Sequence, residues 1–485
     1  MPILQIGGLA SGLDTKNIVS QLMQVESKPL ENLQKKKADL EAVRTAWGEI
    51  KTKLSSLYNT INSLMSSSLY TNLTATSSDA TVLTAQAQST AVKGSYNIQV
   101  QTLAQSYIIA SNQQTSVTTP LNLNPTTFKI AIGGVVQKDS LGNDITISLD
   151  ATDTLVSIRD KINNAKAGVT ASIVDNKLLL TANTTGAANS ISFTAITGDA
   201  LQALGLADTN GNPITTVQVG TDAQVVINGL TLTRSSNDIS DAIYGVNLTL
   251  KKTGTVTLTV DNDTATIIDK VKTFVSQYND LMNDLATKTA YDATTKTKGV
   301  LFGDSTARQV MAELREIVGS TVAGLTTQAT YGNNTYTLNN LMAVGISTSG
   351  KEATLTLDEN KLTAMIKQNP AAVARIFTDD TTTNENEKKG IIDKLAVYVR
   401  NLAVYIVSSD GTTHYDAILT SKDKSLADQI KLAQENIDKF NDYLARKEEE
   451  LWAKFTQLES VMSQLQSQSN WLAAQLSGLS GANKK

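Results

Sequence analysis

Apolar residues recur at helical spacing near the amino end of the chain. The steps between them alternate between three and four residues, which is the heptad pattern of a coiled coil. The positions are Leu40, Val43, Trp47, Ile50, Leu54, Leu57, Ile61 and Leu64, and Leu33 adds one earlier heptad. This pattern predicts one long helix with a single apolar stripe, interrupted only by Gly48.

A shorter amphipathic helix is predicted before Pro29. Asp14 is placed to cap its first turn, and Ile18, Leu22 and Val25 share one face. Because proline has no amide hydrogen and clashes with the preceding turn, Pro29 is expected to break or kink the path between the two helices.

The carboxyl end carries a longer heptad. Its apolar residues lie seven apart, at Ile430, Ile437, Leu444, Leu451, Leu458, Leu465 and Leu472. The flanking column changes from Ala433 and Phe440 to Lys447 and Lys454, so the stripe drifts around the helix. A helix from Leu426 to Leu476 would be roughly 75 Å long at 1.5 Å per residue. Such a helix requires partner helices.

Between these ends, from about Thr71 to Asp263, the pattern changes to the alternation of β-strands. Residues 223–227 and 230–234 flank Asn228-Gly229, and an Asn-Gly pair favours a type I′ hairpin turn. The alternating runs 246–250 and 256–260 predict a second hairpin with one solvent-facing side.

A smaller unit is predicted at residues 153–181. Asp153 is expected to cap a short helix, and two alternating strands are expected to follow, joined by a turn at Asp175-Asn176. Helices resume after Asp263, one of them capped by Asp304 or Ser305. Strands are predicted at 344–347 and 353–357, and further helical segments at 371–377 and 391–407.

These elements predict an α+β multidomain fold. Its terminal helices form an antiparallel coiled-coil or helical-bundle stalk, and β-rich head domains are inserted between them. The expected division is an amino-terminal leg at 1–32, a stalk helix at 33–72 packing with a helical and α+β body at 264–450, an inner head domain at 73–110 and 222–263, an outer head domain at 111–221, and a carboxy-terminal leg at 451–485.

Composition narrows the possible chemistry. The chain has no cysteine and a single histidine, His414, so disulfides, thiol catalysis and multi-histidine metal sites are excluded. The formal net charge of −4 indicates neither nucleic acid nor a membrane surface as partner. The sequence has no apolar run of about 18 residues, so no membrane-spanning helix is predicted. The first residues lack the basic and apolar regions of a cleaved secretory signal.

Candidate catalytic and ligand sites are weak. His414 is expected in a surface turn that begins at Asp410, without a nucleophile held beside it. Gly7-Gly8 and Gly133-Gly134 match no nucleotide-binding loop and are interpreted as turns. The run Lys35–Lys37 is interpreted as a solvated helix face, with anion binding as the alternative. We therefore expect no catalytic residue, no cofactor and no metal.

Several stretches resemble one known family. The opening Gly8-Leu9-Ala10-Ser11-Gly12-Leu13-Asp14-Thr15 resembles the start of the flagellar filament cap family. Residues 153–192, which include Ile162-Asn163, are similar to the IN motif of flagellins and hook-associated proteins. Residues 274–281, which include Tyr278-Asn279, and residues 301–305 resemble the body of the cap, and residues 455–472 resemble its last helix.

The resemblance implies a secreted, non-enzymatic protein of the bacterial flagellum. It implies a homo-oligomeric ring at the filament tip, with a pentamer as the preferred stoichiometry, that promotes folding and insertion of exported flagellin. The implied partners are copies of the chain itself, flagellin, the hook-associated junction protein and an export chaperone at the carboxy-terminal region. The implied route is the flagellar type III secretion system, without a cleaved signal peptide.

The helix stripes are the predicted contact surface for oligomer and filament. Its residues are Leu13, Leu22, Leu30, Leu40, Trp47, Leu54, Leu444, Leu451, Trp452, Phe455, Leu458, Leu465, Trp471 and Leu472. Each heptad position can equally serve packing within the chain. Two alternatives stay open: a flagellin-like or hook–filament junction subunit, and an adhesin acting through the head domains. An enzyme using His414 is a distant further alternative.

Overall fold

The computed structural model describes residues 12–350, 353–379, 389–407 and 414–481. Residues 8–11 of the opening motif and the predicted turn 410–413 lie outside these ranges. The chain forms two compact units: the first consists of Met1–Ser67 and Ala265–Lys485, and the second of Ser68–Thr264. No helix in the described ranges is long and apolar enough to cross a membrane.

The helices of the described chain are α1 (Thr15–Glu26), α2 (Lys28–Leu64), α3 (Ser67–Thr71), α4 (Leu155–Ala165), α5 (Ala200–Ala203), α6 (Thr264–Thr289), α7 (Ser305–Gly319), α8 (Glu359–Gln368), α9 (Pro370–Phe377), α10 (Ile391–Val399) and α11 (Ile418–Gly481). A 3-10 turn at Met342–Val344 and a π-helical turn at Arg400–Val404 supplement them.

The strands are β1 (Leu73–Ser77), β2 (Leu83–Ala87), β3 (Gly94–Thr102), β4 (Ser106–Ala110), β5 (Thr126–Ile132), β6 (Val135–Val136), β7 (Ile147–Leu149), β8 (Val169–Val174), β9 (Lys177–Thr185), β10 (Ile191–Thr197), β11 (Thr216–Gln218), β12 (Ala223–Ile227), β13 (Leu230–Arg234), β14 (Asp238–Ile243), β15 (Val246–Leu250), β16 (Gly254–Asn262), β17 (Tyr291–Asp292), β18 (Thr297–Lys298), β19 (Gln328–Tyr331), β20 (Asn334–Thr337), β21 (Ile346–Ser349), β22 (Thr354–Leu357), β23 (Tyr405–Val407) and β24 (His414–Asp416).

The terminal helices form where the heptads predict them, but their ends differ. α2 begins at Lys28 and ends at Leu64, not at 33 and 72, and α11 extends beyond the predicted 426–476 at both ends. Asp14 caps α1, its Oδ1 accepting a hydrogen bond from the Asn17 amide at 3.0 Å. The break expected at Pro29 is confirmed, because α1 ends at Glu26 and Pro29 lies in the first turn of α2. Gly48 does not interrupt α2.

The antiparallel packing of α2 against α11 confirms the predicted fold class. Arg44 Nε lies 2.7 Å from Asp423 Oδ1, and Lys51 Nζ donates to the Thr420 hydroxyl at 2.9 Å. Farther along α11, the Tyr443 hydroxyl donates to Glu26 Oε2 at 3.4 Å. As residue numbers increase along α11, the residues that it contacts near the amino end decrease in number, so the two segments are antiparallel.

The second unit contains two hydrophobic cores. The first core lies between a five-stranded sheet, in the order β1-β16-β3-β12-β13, and a three-stranded sheet, in the order β14-β15-β2. The predicted hairpin of β12 and β13 is confirmed, with φ of +48° at Asn228 and +87° at Gly229. These are the positive angles that a type I′ turn requires.

The second predicted hairpin is wrong. β15 pairs with β14 and β2, whereas β16 pairs with β1 and β3. Both strands carry the expected alternation, and Leu248 and Leu258 are both buried in the same core. Alternation identifies a strand with one buried face but not its partner, so the chain crosses here from one sheet to the other.

The second core lies around α4, α5 and the sheets β11-β4-β9-β8 and β10-β5-β6, with β7 paired to β5. The rings of Phe128 and Phe193 meet edge to face at 5.6 Å in this core. The predicted hairpin of β8 and β9 is confirmed, with positive φ at Asp175 and Asn176.

The cap of α4 differs from the prediction by one residue. Thr154, not Asp153, is the N-cap, and it forms a reciprocal capping box with Ser157. The Asp153 carboxylate instead accepts hydrogen bonds from the Asp150 amide and Lys161 Nζ, both at 2.7 Å. Thr154 has the extended backbone conformation of an N-cap residue, and Asp153 lies one residue before it.

Three other predictions in the first unit need correction. The strand expected at 344–347 starts only at Ile346, because Met342–Val344 forms a 3-10 turn. The helical segment expected through 407 ends earlier and continues as β23. His414 lies in β24, opposite Val407 and stacked on Tyr405 at 4.6 Å, rather than in a turn.

Two loops of the second unit have similar conformations but differ in how closely they are packed. In one loop Asp139 Oδ1 accepts hydrogen bonds from two backbone amides, and in the other Asp208 Oδ1 does the same. Each loop also has a glycine with positive φ, Gly142 at +87° and Gly211 at +81°. A Cβ at Gly211 would lie 1.9 Å from the Phe193 carbonyl oxygen, whereas a Cβ at Gly142 meets nothing within 4 Å.

Replacing Gly211 with alanine is therefore expected to lower the free energy of unfolding about 2 kcal/mol more than Gly142→Ala does. Both substitutions incur the cost of positive φ, roughly 1–2 kcal/mol, and only Gly211→Ala adds the clash. Urea unfolding followed by far-ultraviolet circular dichroism measures the difference. Equal unfolding midpoints for the two variants would contradict this packing.

Candidate interaction surface of the terminal helices

The heptad of α11 passes from buried to exposed along one helix. In its first part, Leu419, Leu426, Ala433 and Ile437 are buried, at 2–6% exposure. Farther on, the exposure of Leu458, Leu465, Leu472 and Leu476 rises to 44–65%. The same sequence repeat therefore packs inside the first unit at one end and presents apolar surface at the other.

The four exposed leucines share one direction with three partly buried residues, Leu451, Phe455 and Met462. At about 100° per residue, Leu451, Phe455, Leu458, Met462, Leu465, Leu472 and Leu476 project within roughly 60° of Leu458. We call these seven residues the carboxy-terminal stripe. Trp452 and Trp471 lie more than about 100° from Leu458, outside the stripe.

Helix α1 presents a second, smaller apolar surface. Leu13, Leu22 and Val25 are 45%, 42% and 63% exposed, whereas Val19 between them is buried. Leu22 and Val25 lie one turn apart on α1, whereas Leu13 precedes the helix, which begins at Thr15. Exposed leucine and valine on one side of a helix are typical of a surface that binds another helix.

The predicted contact residues fall into three groups. Leu13, Leu22, Leu458, Leu465, Trp471 and Leu472 are exposed, and Leu30, Leu40, Leu444, Leu451, Trp452 and Phe455 are partly buried. Trp47 and Leu54 are buried, at 2% and 0% exposure. Because a buried side chain presents no surface, Trp47 and Leu54 belong to packing within the chain, and the candidate surface does not include them.

Trp47 instead belongs to a polar cluster that sequence reasoning missed. Its Nε1 donates to Asp304 Oδ2 at 3.2 Å, and Lys422 Nζ lies 2.9 Å from the same oxygen and 4.6 Å from the Trp47 ring centroid. Asp304 Oδ1 also caps α7 through the Thr306 and Ala307 amides, at 2.8 and 3.2 Å. The expected cap at Asp304 is confirmed.

Burial acts against charge on Asp304 but does not prevail. Removal from water favours the neutral carboxyl, whereas the hydrogen bonds from Lys422, the Ala307 amide and Trp47 favour the carboxylate. Their combined effect lowers the pKa of Asp304. Lys422 is 118 positions from Asp304, and no local pattern in the sequence connects them.

Ion pairs lie along α11 beside the carboxy-terminal stripe. Glu450 pairs with Lys454, and also with Lys447 at 3.5 Å. The hydrogen bond from Lys454, followed by the charges of both lysines, lowers the pKa of Glu450. At about 100° per residue, Lys447 and Lys454 lie within about 40° of Leu458, so the first part of the stripe carries lysines that are paired with Glu450.

No group of three histidine, cysteine, aspartate or glutamate side chains is placed within the described chain to hold a metal ion. His414 is exposed on a short strand beside Tyr405. The arrangement supports binding through helices.

Comparison with protein-family models gives three matches. Residues 220–467 match the model described as flagellar hook-associated protein 2 C-terminus, and residues 11–107 match its N-terminal counterpart. Residues 129–184 match the flagellin hook IN motif. The last range overlaps the region where the sequence resembles that motif.

Similar proteins cover nearly the whole chain. The flagellar hook-associated protein 2 of Escherichia coli K12 is 29% identical, over 96% of this chain and 97% of its own length. The B-type flagellar hook-associated protein 2 of Pseudomonas aeruginosa PAO1 is 30% identical, over 91% of each. The crystal structure of the flagellar cap protein FliD D1-D2-D3 domains from E. coli matches with a TM-score of 0.54 and 27% identity, over 79% of this chain and 99% of that one.

Proposed function

This chain belongs to the flagellar hook-associated protein 2 family, and we propose that it is the cap of the flagellar filament. The observation that supports this most directly is the carboxy-terminal stripe on a helix whose other half packs antiparallel in the chain's own body. A cap must hold itself together through its body and still offer helices to other subunits. The cap acts outside the cell, at the flagellum tip.

The function is structural and not enzymatic. Copies of the chain form a ring, with five as the preferred number, and the ring promotes folding and insertion of flagellin beneath it. The hook-associated junction protein is the partner before the first flagellin arrives. An export chaperone covers the carboxy-terminal region before secretion through the flagellar type III system. The exposed apolar stripe supports this last point, because exposed leucines invite association.

The size of the stripe bears on how the cap moves. Burying the remaining surface of a half-exposed leucine contributes about 1 kcal/mol. Four such leucines contribute about 4 kcal/mol, which corresponds to a dissociation constant near 1 mM before the entropy of association is counted. One leg contact is therefore exchangeable, and several legs in a ring are needed for retention.

We also propose the expected domain division. Legs lie at 1–32 and 451–485, the body at 33–72 and 264–450, the inner head at 73–110 and 222–263, and the outer head at 111–221. The separate hydrophobic cores of the second unit support the two head domains. β4, at the end of the inner-head range, packs in the outer core through Ile109. The matched IN motif, residues 129–184, falls in the outer one.

Imaging and mass measurement test the cap directly. We expect purified protein to form closed rings in negative stain and an oligomer in native mass spectrometry whose mass is a multiple of 51.8 kDa. Particles that stay monomeric at every concentration would overturn the proposal. Long self-assembled filaments would instead favour the filament-subunit alternative, which shares the IN motif.

A further inference from the structure

On each of three edge strands, one residue is hydrogen-bonded to a side-chain carboxamide from a nearby helix. In each case the carboxamide NH2 donates to the carbonyl oxygen of one strand residue, and the carboxamide oxygen accepts from the N–H of the same residue. The pairs are Asn163 of α4 with Ala171 of β8 (2.9 and 2.7 Å), Asn279 of α6 with Leu355 of β22 (2.8 and 2.6 Å), and Gln368 of α8 with Thr330 of β19 (2.8 and 3.1 Å).

Each strand has its other edge occupied by a partner strand. β8 is the outer strand of its four-stranded sheet, and β22 and β19 each belong to a two-stranded sheet. The carboxamide therefore binds the edge that a further strand would use. A planar amide with one donor and one acceptor satisfies that edge as the peptide group of another strand would.

An open strand edge is a site for pairing with another chain. The cap proposal places many copies of this chain side by side, where such pairing would compete with the intended contacts. We propose that the carboxamides of Asn163, Asn279 and Gln368 block these edges against an extended segment of a second copy of the chain. Self-association is thereby directed away from the three strands.

The proposal gives a role to polar residues in two sequence motifs. Ile162 is buried in the outer head core, which explains the apolar half of Ile162-Asn163, and Asn163 closes β8. Tyr278 is likewise buried, and the adjacent Asn279 closes β22. The third pair, at Gln368, repeats the arrangement outside both motifs.

Asn163→Asp tests the block with little change in shape. The carboxylate still accepts the Ala171 amide but cannot donate to the Ala171 carbonyl, which then faces a negative charge. Asn164→Asp is the matched control, since Asn164 is exposed on the same helix and the change adds the same charge. Asn163→Leu removes both bonds without charge, and far-ultraviolet circular dichroism verifies that each full-length variant is folded.

We expect hydrogen exchange at the Ala171 amide to accelerate about tenfold in Asn163→Leu, which removes the acceptor of that amide and so one hydrogen bond. We also expect sedimentation velocity to show larger species for Asn163→Asp and Asn163→Leu than for Asn164→Asp at equal concentration. Below about pH 4, protonation of the introduced carboxyl in Asn163→Asp restores a donor and should reverse its association.

Faster exchange without new association would overturn the proposal, because Asn163 would then only position α4 on β8. Unchanged exchange at the Ala171 amide in Asn163→Leu would overturn it as well. The first unit offers an independent repetition, with Asn279→Asp compared with Asn283→Asp on the exposed side of the same helix. Ring formation is not required for any of these measurements, so their outcome is separate from that of the cap proposal.

Discussion

Replacing Asp304 with alanine is expected to lower the free energy of unfolding of the first unit by about 2–3 kcal/mol. Loss of the α7 cap costs about 1 kcal/mol. The remainder comes from Lys422 and Trp47, which lose their shared acceptor in a site where the Lys422 side chain is only 23% exposed. Urea unfolding followed by tryptophan emission measures the effect, because Trp47 is buried whereas Trp471 is 62% exposed.

Two further variants separate the causes. Asp304→Asn keeps a cap acceptor but removes the charge, so its cost should lie between that of wild type and that of Asp304→Ala. Asp280→Ala removes a pair with Lys53 in which the aspartate side chain is 66% exposed, so it should cost less than about 0.5 kcal/mol. Equal effects of Asp304→Ala and Asp280→Ala would show that the cluster around Trp47 adds nothing.

The acid dependence of stability follows from the same cluster. The pKa of Asp304 is lowered in the folded state, so its contribution is complete above the ordinary aspartate pKa of about 3.9. That contribution is lost as the pH falls through the lower, folded-state value. The free energy of unfolding of wild type should therefore fall more than that of Asp304→Ala when the pH is lowered from 5 toward 2. Urea unfolding at several pH values in this range measures the difference.

Leu458→Lys is expected to abolish filament growth while leaving the fold intact. The side chain is 44% exposed, so the lysine stays solvated in the isolated chain. In a helix contact, however, it would bury an unpaired charge, at a cost of several kcal/mol. That cost exceeds the roughly 4 kcal/mol that the stripe leucines contribute together.

Motility of a cap-null strain carrying the variant gene measures this effect. Ser467→Lys is the matched control, because Ser467 is exposed about 180° from Leu458 on the same helix. It should restore swimming as wild type does. Leu451→Lys should also fail, with some loss of stability, since Leu451 is partly buried. Normal swimming with Leu458→Lys would refute the assignment of the stripe to assembly.

Much of the local structure could be predicted from sequence, because its signals are local. The heptads of α2 and α11 predict helices since apolar spacing of three and four matches the helical turn. Asn228-Gly229 predicts its hairpin because the turn requires positive φ at both residues, which the structure has. The cap of α4 was displaced by one residue because Asp153 and Thr154 both favour that position and only the backbone separates them.

Pairing over long distances could not be predicted in the same way. β15 and β16 have the alternation of a hairpin, yet they lie in different sheets around one core. Likewise, the bonds of Asn163, Asn279 and Gln368 to strand edges depend on where a helix lies against a strand. A periodic pattern reports which face is buried but not what buries it.

By itself, the sequence determined that the chain has helical ends around a β-rich middle, and its motifs indicated the family. Only the tertiary structure decided how the stripes are used. Trp47 and Leu54 face α-helical neighbours and are buried, whereas Leu465 and Leu472 continue a heptad on α11 that has become exposed. The physical reason is that a heptad encodes an apolar face, and the extent of the partner helices sets how much of that face is covered.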